Sequence, residues 1–580
     1  MRHGKATAVA VLAGLTVCVA APGQALAAYV PDPVEFERAV RAPDAAGGPP
    51  AVRFARRSVS RVVRPGKRFN LVGLGWRGGS VRSLSFRVRR TGGAWTRWVA
   101  VGSESGDAPD RTSRERRRAR RSSSPLWAGQ ADELQLALTA GRDVRDLRLH
   151  FVNTTGTATP AARLRSRLRA RTAAARRPAA KQADTSQPPI VPREQWASDK
   201  CPPRADPVYG RVDLAFIHHT VSANEYGPAD SPAMVLAICR YHRNGNGWND
   251  VGYNFIVDRY GTIFEGRAGG IAEAVVGAQA QGYNSTSTGI ASLGTFSSGG
   301  QTPAGLSAIA RLLSWKLAVH GVPPAGRVEV VSQGGSTNRF PAGSRPVFNR
   351  ISGHRDGNAT ACPGDGLYAQ LPQLRAMVDP GPPRATTQTV ASRQRRNITY
   401  GSKAVLRLSL GAGGEPPGTP VSPLGSRRVD VQVLGRYGWS TNHTVTTDSA
   451  GKAETRMRLS LTRRVRARYR GEAGLLPSAS AILQVGVRPV VTVDADVAGK
   501  RVRVTGTVRP KKASAILTLK RRTPGGRLLR VSRRTVKLRR GDLLTNLRVA
   551  RPSLYRLRLS VKTDSRNLSA RSKVTEFRVG

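Results

Sequence analysis

The chain runs to 580 residues, long enough for several domains. Lys and Arg number 94 against 37 acidic residues, a formal net charge of +57, far beyond what solubility requires. No stretch beyond the amino terminus reaches about 18 apolar residues, which excludes a membrane-spanning helix, and no nucleic-acid-binding motif is present, which excludes a specific nucleic-acid partner.

Residues 1–27 read as an export signal. Arg2 and Lys5 precede an apolar run from Ala8 to Ala21, and Ala25-Leu26-Ala27 has the small-x-small form of a cleavage site. Val17 stands before Cys18 where a lipoprotein signal needs a small residue, so Cys18 goes with the removed segment. The expectation is a secreted, wall-associated protein, monomeric, whose charge draws it to anionic wall polymers. The composition of a GC-rich genome would account for the charge equally well.

Residues 50–155 read as a β domain. Segments such as Ser83-Leu84-Ser85-Phe86-Arg87-Val88 alternate apolar and polar between Gly-rich breaks. Trp95, Trp98 and Trp127 are expected to fill its core; an aromatic carbohydrate platform is the alternative. The Arg-rich stretch from Arg111 to Arg121 reads as a disordered loop. Residues 156–188 read as a disordered basic linker, with a basic helix such as Ala161 to Ala175, lacking an apolar face, as the alternative.

Residues 189–380 alternate strands and helices. The run from Asp213 to His219 predicts a buried strand. Pro232 and Pro303 mark helix starts, and a hairpin is expected around Arg259-Tyr260-Gly261. A Gly-, Ser- and Pro-rich loop over 321–350 could cover a groove. Residues 395–487 and 488–580 return to alternating patterns and predict two β-sandwiches, the first resembling bacterial immunoglobulin-like repeats through Gly438-Trp439 and Asp448-Ser449-Ala450-Gly451.

Of four cysteines, Cys201, Cys239 and Cys362 remain once Cys18 is removed. Pairing of Cys201 with Cys239 in an oxidising compartment leaves Cys362 over. His354 and Cys362 lie eight residues apart across a Gly/Asn loop, and a His/Cys pair suits zinc. A third ligand would come from His218 or His219, at the end of the buried strand. The alternative makes His354 a surface histidine and Cys362 half of a disulfide.

The middle segment resembles the peptidoglycan recognition protein family, the type 2 N-acetylmuramoyl-L-alanine amidases. The resemblance rests on Pro192-Arg193-Glu194-Gln195-Trp196, Ile217-His218-His219-Thr220, Tyr241-His242, the run from Gly247 to Phe255, Gly282-Tyr283-Asn284-Ser285, Gly353-His354-Arg355-Asp356 and Cys362-Pro363-Gly364. It implies Zn2+ held by His218, His354 and Cys362, and catalytic roles for Tyr253 and Thr360. It implies a peptidoglycan substrate; His219, Trp248, Asn254, Tyr283 and Asn284 are read as groove residues, with packing the equal alternative for Trp248 and Tyr283. His242 is read as structural, and Asp356 as orienting a ligand histidine or as a solvated acid. The expected architecture is multidomain: a central α/β zinc amidase flanked by an N-terminal β-sandwich and two C-terminal immunoglobulin-like β-sandwiches. A non-catalytic peptidoglycan binder and a wall adhesin are the competing readings.

Overall fold

The computed structural model describes residues 30–40, 58–102, 107–141, 143–173, 187–378, 385, 387–413, 421–435, 438–472 and 474–580. The expected export signal lies outside them.

The N-terminal domain is built from two sheets. One joins Val34–Ala39, Arg145–Asn153 and Phe69–Arg77, with Leu126–Ala131 and Arg121–Ser122 pairing on the last of these. The other orders Ser58–Val59, Glu133–Ala140, Val81–Arg89 and Val99–Val101. Alternation buries Leu84, Phe86 and Val88 between the sheets, as period-2 patterning requires. The domain begins at Val34 rather than residue 50, because that strand pairs with Arg145–Asn153 and covers its edge. The tryptophans depart from expectation. Trp76 fills the core, whereas Trp95 and Trp98 lie half-buried at the surface beneath the Arg87 guanidinium, 4.9 and 4.8 Å away. Trp127 is buried among residues of the next domain.

The stretch expected as a linker opens with a helix, Pro160–Ala173. Thr159 Oγ1 accepts from Ala162 N and Pro160 occupies the first turn, so local capping starts a helix that sequence periodicity alone does not announce.

The central domain holds a six-stranded mixed sheet in the order Ile190–Val191, Ile263–Glu265, Phe255–Val257, Ser287–Ser292, Leu214–His219, Ile351–Gly353. Leu214–His219 is buried on both faces, like a central parallel strand. Ala215 and Ile217 face the long helix Pro303–Val319; Leu214 and Phe216 face Tyr283 and Phe348. The helix starts as its sequence predicts, with Thr302 Oγ1 accepting from Gly305 N and Pro303 following. The helix Ser231–Arg240 carries Pro232 in its first turn, as expected, and its N-cap position, Asp230, makes no side-chain capping bond to the helix. The loop over 321–350 contains a two-stranded pairing, Arg327–Glu329 with Val347–Asn349, and buries Val330 and Phe348 beneath Tyr283.

The N-terminal domain packs onto the helix Ser231–Arg240. Leu71, Trp127 and Val152 join Met234, Val235 and Ile238 in one apolar cluster, and Tyr241 donates to Ser123 O at 3.0 Å. On the far side two further β units follow, each with two sheets around its own core. The first docks on the central domain through Glu273, which Arg466 (2.5 Å) and Arg468 clamp. Gly438 lies against Gly269 there at a φ of 118°, and a Cβ on it would come within 2.6 Å of the Gly269 carbonyl carbon.

Candidate metal centre

His218 lies at the end of one strand and His354 directly follows its parallel neighbour Ile351–Gly353, so both imidazoles emerge at the carboxyl ends of adjacent strands. Cys362 returns to the same point on a turn pinned by Arg355 N donating to Cys362 O (3.0 Å) and Cys362 N donating to Thr360 Oγ1 (3.2 Å). The His218 and His354 rings are 4.4 Å apart, and Cys362 Sγ is 3.6 Å from His218 Nδ1. One ligand atom from each of the three residues lies within 4.8 Å of the others, and all three side chains are buried. Two imidazoles and a thiol converging at a buried point form a zinc-type donor set. Cys201, Cys239 and Asp250 also approach one another, but Cys201 and Cys239 are bonded as a disulfide, so that group has no thiolate to offer.

Two partners set the local geometry. His218 Nε2 donates to Gln279 Oε1 at 2.6 Å, which leaves Nδ1 to face the cluster. Gln279 is fully buried and is itself held by donating to Ser287 Oγ (2.8 Å). Asp356 does not touch a ligand histidine. Its carboxylate accepts from Gly353 N (2.9 Å) and Tyr368 Oη (2.6 Å), closing the turn that carries His354.

Tyr253 lies beside the cluster, its ring 5.4 Å from that of His218. Burial pushes its hydroxyl far above the ordinary tyrosine range, so it stays a donor. Thr360 is half-buried on the Cys362 turn, and because its oxygen accepts from Cys362 N its own hydrogen is left to donate. His219 points to the opposite face of the strand. Its Nδ1 accepts from Phe296 N (3.2 Å), and burial lowers its pKa to about 4, so it stays neutral. His242 is likewise neutral, lowered to about 4 by burial, and accepts from Gly252 N.

All five residues expected in the groove are buried. Tyr283 is fully buried between Phe216 and Phe348, Trp248 packs at a tilt against His242 with ring centroids 4.7 Å apart, and Asn254 accepts from Gly289 N and donates to Val275 O. Asn284 meets another part of the chain: Asn284 Nδ2 donates to Ala108 O (2.9 Å) and Asp110 Oδ1 (2.7 Å).

That part runs from Asp107 into the stretch from Arg111 to Arg121 expected as a disordered loop. Residues 107–118 leave the N-terminal sheets and lie along the central domain. Asp107 Oδ2 accepts from Tyr253 Oη at 2.7 Å, and Asp107 Oδ1 stands 3.4 and 3.5 Å from Nδ1 of His218 and His354. Burial opposes its ionisation, but both imidazoles and the Tyr253 hydroxyl outweigh it and hold the carboxyl below its usual range. Glu115 forms a bidentate pair with Arg267 (2.7 and 3.1 Å) and accepts from Asn249 N (2.7 Å). The Arg run hides these acids: its arginines face solvent, while Glu115 points inward.

A family model described as N-acetylmuramoyl-L-alanine amidase matches residues 208–365, and one described as Rv3811 N-terminal galactose-binding domain-like matches residues 28–182. A peptidoglycan-recognition protein of Drosophila melanogaster is 33% identical over 184 residues, which are 31% of this chain and 85% of that protein. A human protein named N-acetylmuramoyl-L-alanine amidase is 32% identical over 221 residues, 36% of this chain but only 32% of the human one. Among solved structures, wild-type Drosophila PGRP-LB matches at 25% identity over 31% of this chain and 91% of its own, with a TM-score of 0.25.

Proposed function

The chain belongs to the peptidoglycan-recognition and N-acetylmuramoyl-L-alanine amidase family, its catalytic domain that of a zinc hydrolase, and from that membership we propose that it is an exported enzyme hydrolysing the amide between N-acetylmuramic acid and L-alanine in peptidoglycan. The observation that carries this is the buried convergence of His218, His354 and Cys362 beside the Tyr253 hydroxyl. When bound there, zinc supplies a water acidified toward neutrality and a Lewis acid for the scissile carbonyl. Gln279 holds the His218 tautomer. The Tyr253 hydroxyl donates to the carbonyl oxygen as it gains negative charge, and Thr360 offers a second donor to the same atom. Burial favours the neutral Cys362 thiol, so taking up the metal releases its proton.

The disulfide between Cys201 and Cys239 supports an oxidising, extracellular setting. The excess of basic residues supports retention on anionic wall polymers around the substrate. The test is prolonged digestion of purified peptidoglycan, with mass spectrometry of the products and measured zinc content. The full chain is expected to carry zinc and release stem peptides with a free L-alanine amino group, and Cys362→Ala to lose both. Zinc without amide cleavage, even at long incubation, would refute the enzymatic reading.

A further inference from the structure

We propose that Asp107 is a fourth ligand of the metal centre, and that residues 107–118 fill the substrate groove of the resting chain so that the enzyme is latent. The inference rests on the zinc reading above.

The Asp107 carboxylate stands beside the two ligand imidazoles. Its Oδ1 lies at nearly equal distance from Nδ1 of the two ligand imidazoles, 3.4 and 3.5 Å, on the histidine side of the cluster. Its Oδ2 takes the Tyr253 hydroxyl at 2.7 Å. One side chain thus claims both the position a water needs and the donor the carbonyl oxygen needs.

The contact is built, not incidental. Carbonyls of Ala108 and Pro109 accept from Asn284 Nδ2 (2.9 Å) and Gln281 Nε2 (3.2 Å). Asp110 is buried and accepts from Gly282 N (2.8 Å) and Asn284 Nδ2. The pair of Glu115 and Arg267, with side chains only 8% and 7% exposed, anchors the far end. Beyond it Arg118 donates to Asn249 Oδ1 (2.7 Å). Main-chain carbonyls and acidic side chains satisfied by amide donors imitate what a peptide stem with its carboxylates would present.

The experiment uses the full chain loaded with Co2+ in place of zinc, whose visible absorption reports the ligands around it. Wild type, Asp107→Ala and the near-isosteric Asp107→Asn are compared before and after acetohydroxamate, a small chelating anion that needs an open position. Wild type is expected to be unresponsive at concentrations that shift the Asp107→Ala spectrum. The same variant, loaded with zinc, is expected to release stem peptides at least about tenfold faster, as when the competent fraction rises from a tenth or less toward unity. A chain carrying Asp110→Ala and Glu115→Ala keeps the carboxylate but loses its anchors, and is expected to gain the hydroxamate response. Identical spectra and equal responses in wild type, Asp107→Asn and Asp107→Ala, with Co2+ bound in all, would overturn the proposal. Failure of every chain to bind Co2+ would instead overturn the metal reading itself, and this inference with it.

Discussion

Replacing Gln279 by Leu removes the acceptor from His218 Nε2 and keeps the side-chain volume. In the native site that bond is 2.6 Å long and wholly buried, so the N–H it leaves behind has no water to turn to. Leaving a buried donor unpaired costs ~1–3 kcal/mol, and loss of a partner that orients a metal-ligating histidine typically lowers affinity ~10–100-fold, equivalent to ~1.4–2.8 kcal/mol. The two estimates agree, because each measures the preference for the tautomer that turns Nδ1 to the cluster. The assay is a chelator-competition titration of zinc, with melting of the metal-free chain as a control for general damage. Ser287→Ala, which frees the Gln279 amide but keeps its oxygen available, should cost less than Gln279→Leu. An affinity for Gln279→Leu within about twofold of wild type would show that the histidine is held by packing alone and refute the argument.

Three further outcomes are expected. Cys201 and Cys239 close a loop with a sequence separation of 38. The chain-entropy estimate for a loop of that size is ~4 kcal/mol, so replacing both by Ala should lower the melting temperature of the central domain by about 10 °C. Burial raises Glu265 from 4.5 to about 7, so in the folded chain it holds a proton that the unfolded chain has lost. Its contribution to stability is therefore full below about pH 4.5 and disappears as pH rises through 7, by at most ~3 kcal/mol; Glu265→Gln should flatten denaturant-midpoint curves across that window. Gly438→Ala places a Cβ against the Gly269 backbone, so it should loosen the first C-terminal unit from the central domain. Faster proteolysis between the two, with unchanged zinc content, would register the change.

The central domain is legible in the sequence because its signals are local: a continuous apolar run for the middle strand, Thr302-Pro303 at a helix start, a tight turn at Gly261. Spacing alone leaves the choice between His218 and His219 open; it is decided by which face of the strand meets the adjacent parallel strand's end, a relation that only the assembled sheet displays. Gln279 carries no signal, since a glutamine among small residues looks like any loop. Trp248 and Tyr283, for which groove and packing are both open in the sequence, are buried here, as is Asn254, which bonds Val275 O. Asp107 is hidden most deeply. It sits 111 positions before His218 in another domain, beside an arginine run whose solvated character is real, and nothing in linear order ties it to the metal ligands.

Because residues 107–118 and the groove they occupy belong to one chain, the contact is governed by effective concentration rather than by free ligand. A short tether holds its cargo at roughly millimolar local concentration, so a segment with an intrinsic dissociation constant of only ~10 µM would be seated ~99% of the time. The same peptide supplied separately would have to reach a comparable, roughly millimolar concentration to compete. Modest contacts therefore suffice here, and only backbone cuts on both sides of the segment, followed by dilution, would lower occupancy without altering one atom of the groove.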